Sequence, residues 1–411
     1  MADGAASTQS TRQFQPWYIA YAALGLVQSG VAPILLPLSA KHGLDAGLTY
    51  SAFSLSGLAA PMLGAWSDHR QRHRVLLIGG LLFAALALGL FPFVSGLPAR
   101  LALAMMAGFG VIAASTVGTM FIVEIAPQSE WDQRIGTLQS CISAGQVAGL
   151  LLAGALALSR PRVAFEMASA ALLLGAVIAW RYAPAPGQPI PRTAIAPRPA
   201  VGGEAGATHR QFHRISLRGL SALLDLPSGA LMRFLGVWML SYTATNAVAT
   251  MLPVAMTHEY GTSAIVPSAA YAIGIALSLP FYRPAGRWEA RASAFRVLLA
   301  GFSGRAVLLA AMAVFGFIHA GWAIWAIMGS FALTQVLWPL LAVSGNTLSV
   351  TLDPTRRGEG VGLLNASNAA AATIGGVVGG LLLQDANYAA LCAVGCVAVT
   401  LAAAILRRSR A

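Results

Sequence analysis

Long apolar runs alternate with short polar turns along almost the whole chain. The runs fall at residues 17–38, 48–66, 75–94, 101–124, 136–157, 164–181, 230–255, 265–283, 297–317, 322–347, 362–383 and 388–406. A helix needs about 20 consecutive apolar residues to cross the hydrocarbon core of a bilayer, and these runs are of that order. The pattern predicts an all-α polytopic membrane protein with 12 transmembrane helices. The residues up to about Gln15 are polar, and the run from Trp17 is long enough for a span rather than the core of a signal peptide. One stretch, from Tyr182 to about Leu224, breaks the rhythm: it is rich in Pro, Gly and Arg and lacks a long apolar run. It reads as a flexible linker. The expected organisation is a tail at 1–16, a six-helix half at 17–181, the linker at 182–229, a second six-helix half at 230–406 and a short tail at 407–411.

The two halves echo each other. Arg74-Val-Leu-Leu-Ile-Gly79 matches Arg296-Val-Leu-Leu-Ala-Gly301 at an offset of 222, and Gly64-Ala-Trp66 matches Gly286-Arg-Trp288 at the same offset. Gly136, Gly149 and Gly154 pair with Gly362, Gly375 and Gly380 at an offset of 226. In the first helix of each half, Gln28-Ser29 precedes Pro37 at the level where Ala244-Thr245-Asn246 precedes Pro253. Six spans per half set both halves in the same orientation, so the expected fold is pseudo-symmetric.

Charge changes the picture only through its placement. The net charge is +12, from 25 Arg and one Lys against 14 acidic residues. With the N-terminus inside, 21 of the 26 basic residues fall in cytoplasmic segments or at cytoplasmic span ends. This positive-inside bias predicts that both termini are cytoplasmic, with membrane lipid head groups, not nucleic acid, meeting the basic surface. Cys141, Cys392 and Cys396 lie inside expected spans and read as small packing residues. No metal-ligand pattern, catalytic triad or phosphate loop occurs, which argues against an enzyme, a metal site, a cofactor or ATP-driven transport.

The turn Gly64-Ala-Trp-Ser-Asp68-His-Arg70-Gln-Arg72-His-Arg74 packs a carboxylate and three arginines between two spans. It resembles the loop between helices 2 and 3 of the major facilitator superfamily, roughly Gly-x-x-x-Asp-Arg/Lys-x-Gly-Arg-Arg/Lys. The chain is thereby identified as similar to secondary transporters of that superfamily, closest in motifs to bacterial drug and metabolite exporters. The resemblance implies a gating role for Gly64, Asp68, Arg70, Arg72 and Arg74. His69 and His73 replace the usual basic residues and Gln71 the usual glycine, and the histidines could add pH sensitivity. In the second copy Ala290 aligns with Asp68, and Glu289 stands beside it.

The fifth span, with Gly136, Gly145, Gly149 and Gly154, resembles the antiporter motif of exporters in that superfamily, although Leu150 and Ala153 replace its proline and one glycine. Spaced small residues let membrane helices cross closely. The fourth span lacks the arginine usual in proton-coupled exporters: Ala104 stands in its place.

Mid-span polar residues define a candidate substrate cavity: Gln28, Ser29, Thr116, Gln146, Tyr242, Thr245, Asn246, Gln335, Trp338 and Asn365, with Ser115, Thr119, Thr334 and Asn368 near them. Polar side chains within a bilayer line cavities or bridge helices. The set carries no carboxylate, and Asp68, Glu124 and Glu166 all lie at span ends. It suits a small neutral or amphiphilic solute. Arg305 is the one basic residue well inside a span, nine residues beyond Arg296. Snorkelling of its long side chain to the interface is the first expectation, and an anion site the second.

The resemblance implies alternating-access transport of a small-molecule substrate by a monomer in the membrane, with export ahead of uptake and protons as a candidate coupling ion. Uptake symport, uncoupled facilitation, and a transporter-like sensor or lipid-handling protein remain as alternatives, since fold does not settle direction. The preponderance of Arg and Ala over Lys points to a bacterial source and hence to the inner membrane.

Overall fold

The computed structural model describes residues 15–40, 42–60, 62–63, 66, 72–118, 121–122, 131–184, 229–318, 320–353 and 357–408. Every regular element among them is helical. The helices are α1 (Tyr18–Leu38), α2 (Gly43–Leu55), α3 (His73–Leu90), α4 (Leu97–Thr116), α5 (Trp131–Leu156) and α6 (Pro161–Tyr182) in the first half. In the second half they are α7 (Gly229–His258), α8 (Ile265–Ser278), α9 (Ala294–Gly316), α10 (Gly321–Thr351), α11 (Arg357–Asp385) and α12 (Tyr388–Arg408). Among the described residues nine helices are long and apolar enough to cross a membrane, or ten with the bent pair at α8. Helix occurs in each of the twelve expected spans. The expected linker lies almost wholly outside the described residues.

Several of the spans are interrupted, three of them at prolines. α1 carries a π-helical turn at Leu26–Val31. Pro33 follows it and lacks the N–H that would bond the Ser29 carbonyl. α8 runs through a short turn at Leu279–Phe281, containing Pro280, into a further helix, Tyr282–Ala292, with a 55° bend between the segments. α10 breaks between Val336 and Trp338, where Pro339 releases the Gln335 carbonyl. α4 ends at Thr116, 222 residues before Trp338. The fourth helix of each half is thus interrupted at the repeat-equivalent level.

Helix packing reproduces the repeat. α5 lies along α1, and Gly145 and Gly149 have no room for a Cβ against the Ala22 and Leu26 carbonyls. α11 lies along α7 in the same way, with Gly375 against Thr243 and Asn246. The halves meet through two antiparallel crossings. α5 meets α8 where Gly154 touches Ser268, and α2 meets α11 where Gly43 and Gly47 approach Gly380 and Gly376. The sequence-paired glycines therefore do equivalent work: Gly149 and Gly375 seat a helix within a half, and Gly154 and Gly380 seat one half on the other. Gly136 differs, for a Cβ there would meet nothing within 4 Å.

Both inter-half crossings lie at the ends of α5 and α11 remote from the chain termini. There the Leu44 N–H donates to Gln384 Oε1 at 3.3 Å and Ser51 Oγ donates to the Thr373 carbonyl at 2.6 Å. Arginines brace helix ends on both sides. Arg100 Nη1 donates to the Ser39 carbonyl just past α1, at 2.7 Å. Arg74 donates to the Trp180 carbonyl in the last turn of α6. A cation there also opposes the negative end of the helix dipole.

Glu259, in the turn after α7, accepts the Tyr388 N–H at the start of α12 at 3.1 Å. Burial raises the pKa of its carboxyl, and the bond from Tyr388 opposes that only in part. The folded protein thus holds this proton more tightly than the unfolded chain does. This group therefore favours folding at low pH, and its contribution is lost as pH rises from about 4.5 through the raised value. Glu259→Gln keeps an acceptor for Tyr388 and removes the titration, so its unfolding temperature should vary less than wild type across that interval. The glycine crossings generate a second expectation. Gly145→Leu should destabilise the protein by about 1–3 kcal/mol through overpacking, while Gly136→Leu changes stability by less than about 0.5 kcal/mol. Thermal unfolding in detergent measures both.

Candidate functional site

An aromatic cluster fills the centre of the second half. Trp238 and Tyr242 sit one helical turn apart on α7, so their rings stack at 6.1 Å with 17° between planes. The break in α10 delivers Trp338, whose ring lies 5.7 Å from Tyr242 and 6.5 Å from Trp238. Phe302 of α9 closes another side at 6.4 Å from Trp238. The indole N–H of Trp238 donates to Asn368 Oδ1 of α11 at 2.7 Å, which fixes the ring and satisfies a buried donor. Tyr271 of α8 packs edge-on against Phe331 of α10 at 5.1 Å. Tyr50 of α2 stacks on Phe53 and brings the first half within electrostatic range of Tyr242 and Tyr271.

Arg305 lies at the edge of this cluster. It is 3% exposed, and its guanidinium carbon stands 5.6 Å from the Trp338 ring centroid. The Tyr242 and Tyr271 hydroxyls lie within its electrostatic range. Its Nε is buried without a hydrogen-bond partner. Snorkelling to the interface, the first expectation from sequence, is not what the side chain does. Gly301, Phe302, Arg305, Leu309 and Met312 form one buried face of α9 at helical spacing. That face turns into the bundle, so the arginine goes with it.

The other expected cavity residues fall into two groups. Tyr242 and Trp338 meet between α7 and α10, Asn246 faces α11 at Gly375, Gln335 faces α8 at Gly274, and Thr245 is buried on α7. Asn246 Nδ2 donates to the Tyr242 carbonyl at 2.9 Å, Thr245 Oγ1 to the Ser241 carbonyl at 2.8 Å, and Gln335 Nε2 to Thr334 Oγ1 at 3.3 Å. In the first half, Gln28 and Ser29 lie in the π turn of α1, half-buried, and Gly30 abuts the Gln146 carbonyl of α5. Thr116 donates within α4 to the Ile112 carbonyl at 2.7 Å. Asn365 is exposed, one turn before Asn368 on α11. Thr119 and Glu124 lie outside the described residues.

Of the expected gate, Gly64, Asp68 and Arg70 lie outside the described residues. Arg72 is exposed just before α3, and Arg74 makes the brace to α6. His73 is buried, its ring 6.1 Å from that of Phe121. Glu166 forms an exposed ion pair with Arg162 at 2.7 Å, one turn away on α6. Among the described residues no group of three or more His, Cys, Asp or Glu is placed to hold a metal ion.

Sequence reasoning missed Trp238, Tyr50, Tyr271 and Phe302. The four-residue step from Trp238 to Tyr242, continuing into Thr245 and Asn246, was the available signal, since it sets all four near one face of α7.

A family model described as Major Facilitator Superfamily matches residues 17–348. No curated protein sequence matches significantly. Among solved structures, the chain resembles the D323A mutant of the nucleoside transporter NupG, with TM-score 0.76, 12% identity, and coverage of 96% of this chain and 99% of that one. It also resembles a bacterial homologue of the iron transporter ferroportin in an inward-facing state, with TM-score 0.71, 16% identity, and 96% of each chain covered. A D-xylose–proton symporter matches at TM-score 0.64, with 15% identity and 94% and 95% coverage. At these identities the likeness is one of fold.

Proposed function

The chain belongs to the Major Facilitator Superfamily, and on that footing we propose that it moves a small amphiphilic organic solute across the bacterial inner membrane by alternating access. It is an integral membrane protein of a family whose members act as single chains on small molecules. The observation that carries the solute class is the α7–α10 cluster. Three aromatic rings give an apolar surface, with the amide of Asn246 one turn beyond Tyr242, and Thr245 and Gln335 on the same two helices. Interrupted helices supply part of this lining, as happens where unwound backbone borders a cavity at membrane depth.

With both termini in the cytoplasm, as the distribution of arginines indicates, the inter-half crossings lie on the outer side. The conformation is then inward-facing, with the outer gate made by α2–α11 and α5–α8. Asp68 and the arginines of its loop form the inner gate in the opposite state. The glycines that seat α5 against α1 favour export, by their likeness to the antiporter motif. Ala104 on α4 favours a second reading, an uncoupled facilitator, because the arginine of proton-coupled exporters is missing there.

Uptake into energised inverted membrane vesicles tests the proposal, with labelled solutes, with and without a protonophore. Proton-coupled export predicts protonophore-sensitive accumulation, reduced about tenfold or more in Tyr242→Ala and in Asp68→Asn, a loss of roughly 1.4 kcal/mol or more. Equilibration that ignores the protonophore is the facilitator's result. A broad panel with no transport above empty vesicles would overturn the transport reading.

A further inference from the structure

Among the described residues, no carboxylate faces the buried cation Arg305. Its Nε is shielded from solvent and makes no hydrogen bond. No Asp or Glu occurs between Glu289 and Asp353, so α9 and α10 carry no carboxylate across the membrane. α7 has none either, and neither does α11 between Glu359 and Asp385. The Trp338 ring faces the guanidinium, and Tyr242 of α7 and Tyr271 of α8 lie within its electrostatic range. An aromatic face offsets part of a cation's desolvation, and tyrosine hydroxyls offset a little more. Neither neutralises it. Charged residues inside a membrane protein face the interior and are paired, and one that is not marks a site for a charged ligand.

We propose that Arg305 binds the anionic group of the solute, and that the solute is a planar organic carboxylic acid. This rests on the transport reading for the entry of a solute to the cluster. The guanidinium presents a fixed planar fork that matches a carboxylate in two parallel hydrogen bonds. The Tyr242 and Tyr271 hydroxyls, within electrostatic range of the guanidinium, are further donors. The stacked pair Trp238 and Tyr242, with Trp338 inclined to it at 54° and 37°, gives the ring faces for the planar body of the acid. The amphiphile expected from the lining thereby acquires a sign at its polar end. A counter-ion carried in by the solute also links loading to electrostatics. The site is at its least stable when empty and charged, and the acid relieves that.

The test is isothermal titration calorimetry on the full chain in lipid nanodiscs, using matched acid and amide pairs: benzoate with benzamide, phenylacetate with phenylacetamide, and cinnamate with cinnamamide. For at least one pair the acid should bind wild type about tenfold or more tightly than its amide, the worth of a charge-assisted hydrogen bond. Arg305→Met and Arg305→Gln should abolish that preference, and Arg305→Lys should keep part of it. Arg305→Met should also melt no lower than wild type, since it removes an uncompensated buried charge. If the Met variant fails to fold, the Gln and Lys variants decide. Absence of a tenfold preference in every pair, or a preference that survives in both Met and Gln variants, overturns the inference. Transport of neutral solutes in vesicles without any acid preference would sink this assignment alone. Acid preference with no transport would sink the transport reading alone.

Discussion

Gly47 of α2 and Gly376 of α11 meet backbone to backbone, with no space for a Cβ on either. The arrangement of the two halves depends on that approach and on its counterpart at Gly154 and Ser268. Lipid offers no hydrophobic force between helices, so they associate through close van der Waals contact and a few hydrogen bonds. Glycine pairs give a large contact area with little side-chain entropy to lose. The same surfaces can also separate without stranding polar groups, because only the Ser51–Thr373 and Leu44–Gln384 bonds described there cross between α2 and α11. A strong, specific junction between the halves would hold one state, whereas a smooth glycine seam with few bonds can open and close.

Two helices outside the seam, α1 and α10, are not regular throughout. The π turn of α1 and the break in α10 both follow from prolines that leave a carbonyl unbonded. Both interruptions carry residues of the candidate site: Gln28 and Ser29 in α1, Gln335 and Trp338 in α10. The C-terminal half contributes aromatic rings and the buried guanidinium of Arg305, and the N-terminal half contributes amides, hydroxyls and Tyr50. The pseudo-symmetry of the packing is therefore not a symmetry of chemistry. Each half uses the same helix positions to present different groups.

The spans and the repeat were legible in the sequence because lipid imposes a long, nearly continuous apolar run and glycine leaves a recognisable spacing. The pairing of Gly149 with Gly375 and of Gly154 with Gly380 was visible as an offset, but their partners were not, since contact across helices has no periodicity to read. Arg305 was misjudged for the same reason. Its distance from the membrane surface was readable from Arg296, whereas the direction it points depends on which face of α9 meets α10 and α12. Trp238 escaped because an indole inside an apolar run looks like packing until Asn368, 130 residues away, accepts its N–H. Pro33 and Pro339 were the readable hints of irregular helix, and they stood beside polar residues of the candidate site.

Alternation about the glycine seam is the central claim, and cross-linking across it is the most direct measurement. Cys141, Cys392 and Cys396 are first replaced by Ser, and Leu44→Cys and Gln384→Cys are then introduced on the two sides of the α2–α11 crossing. Disulfide formation in the resting protein, complete loss of vesicle transport once cross-linked, and recovery on reduction are the predicted results. Transport at an unchanged rate by fully cross-linked protein would contradict the account.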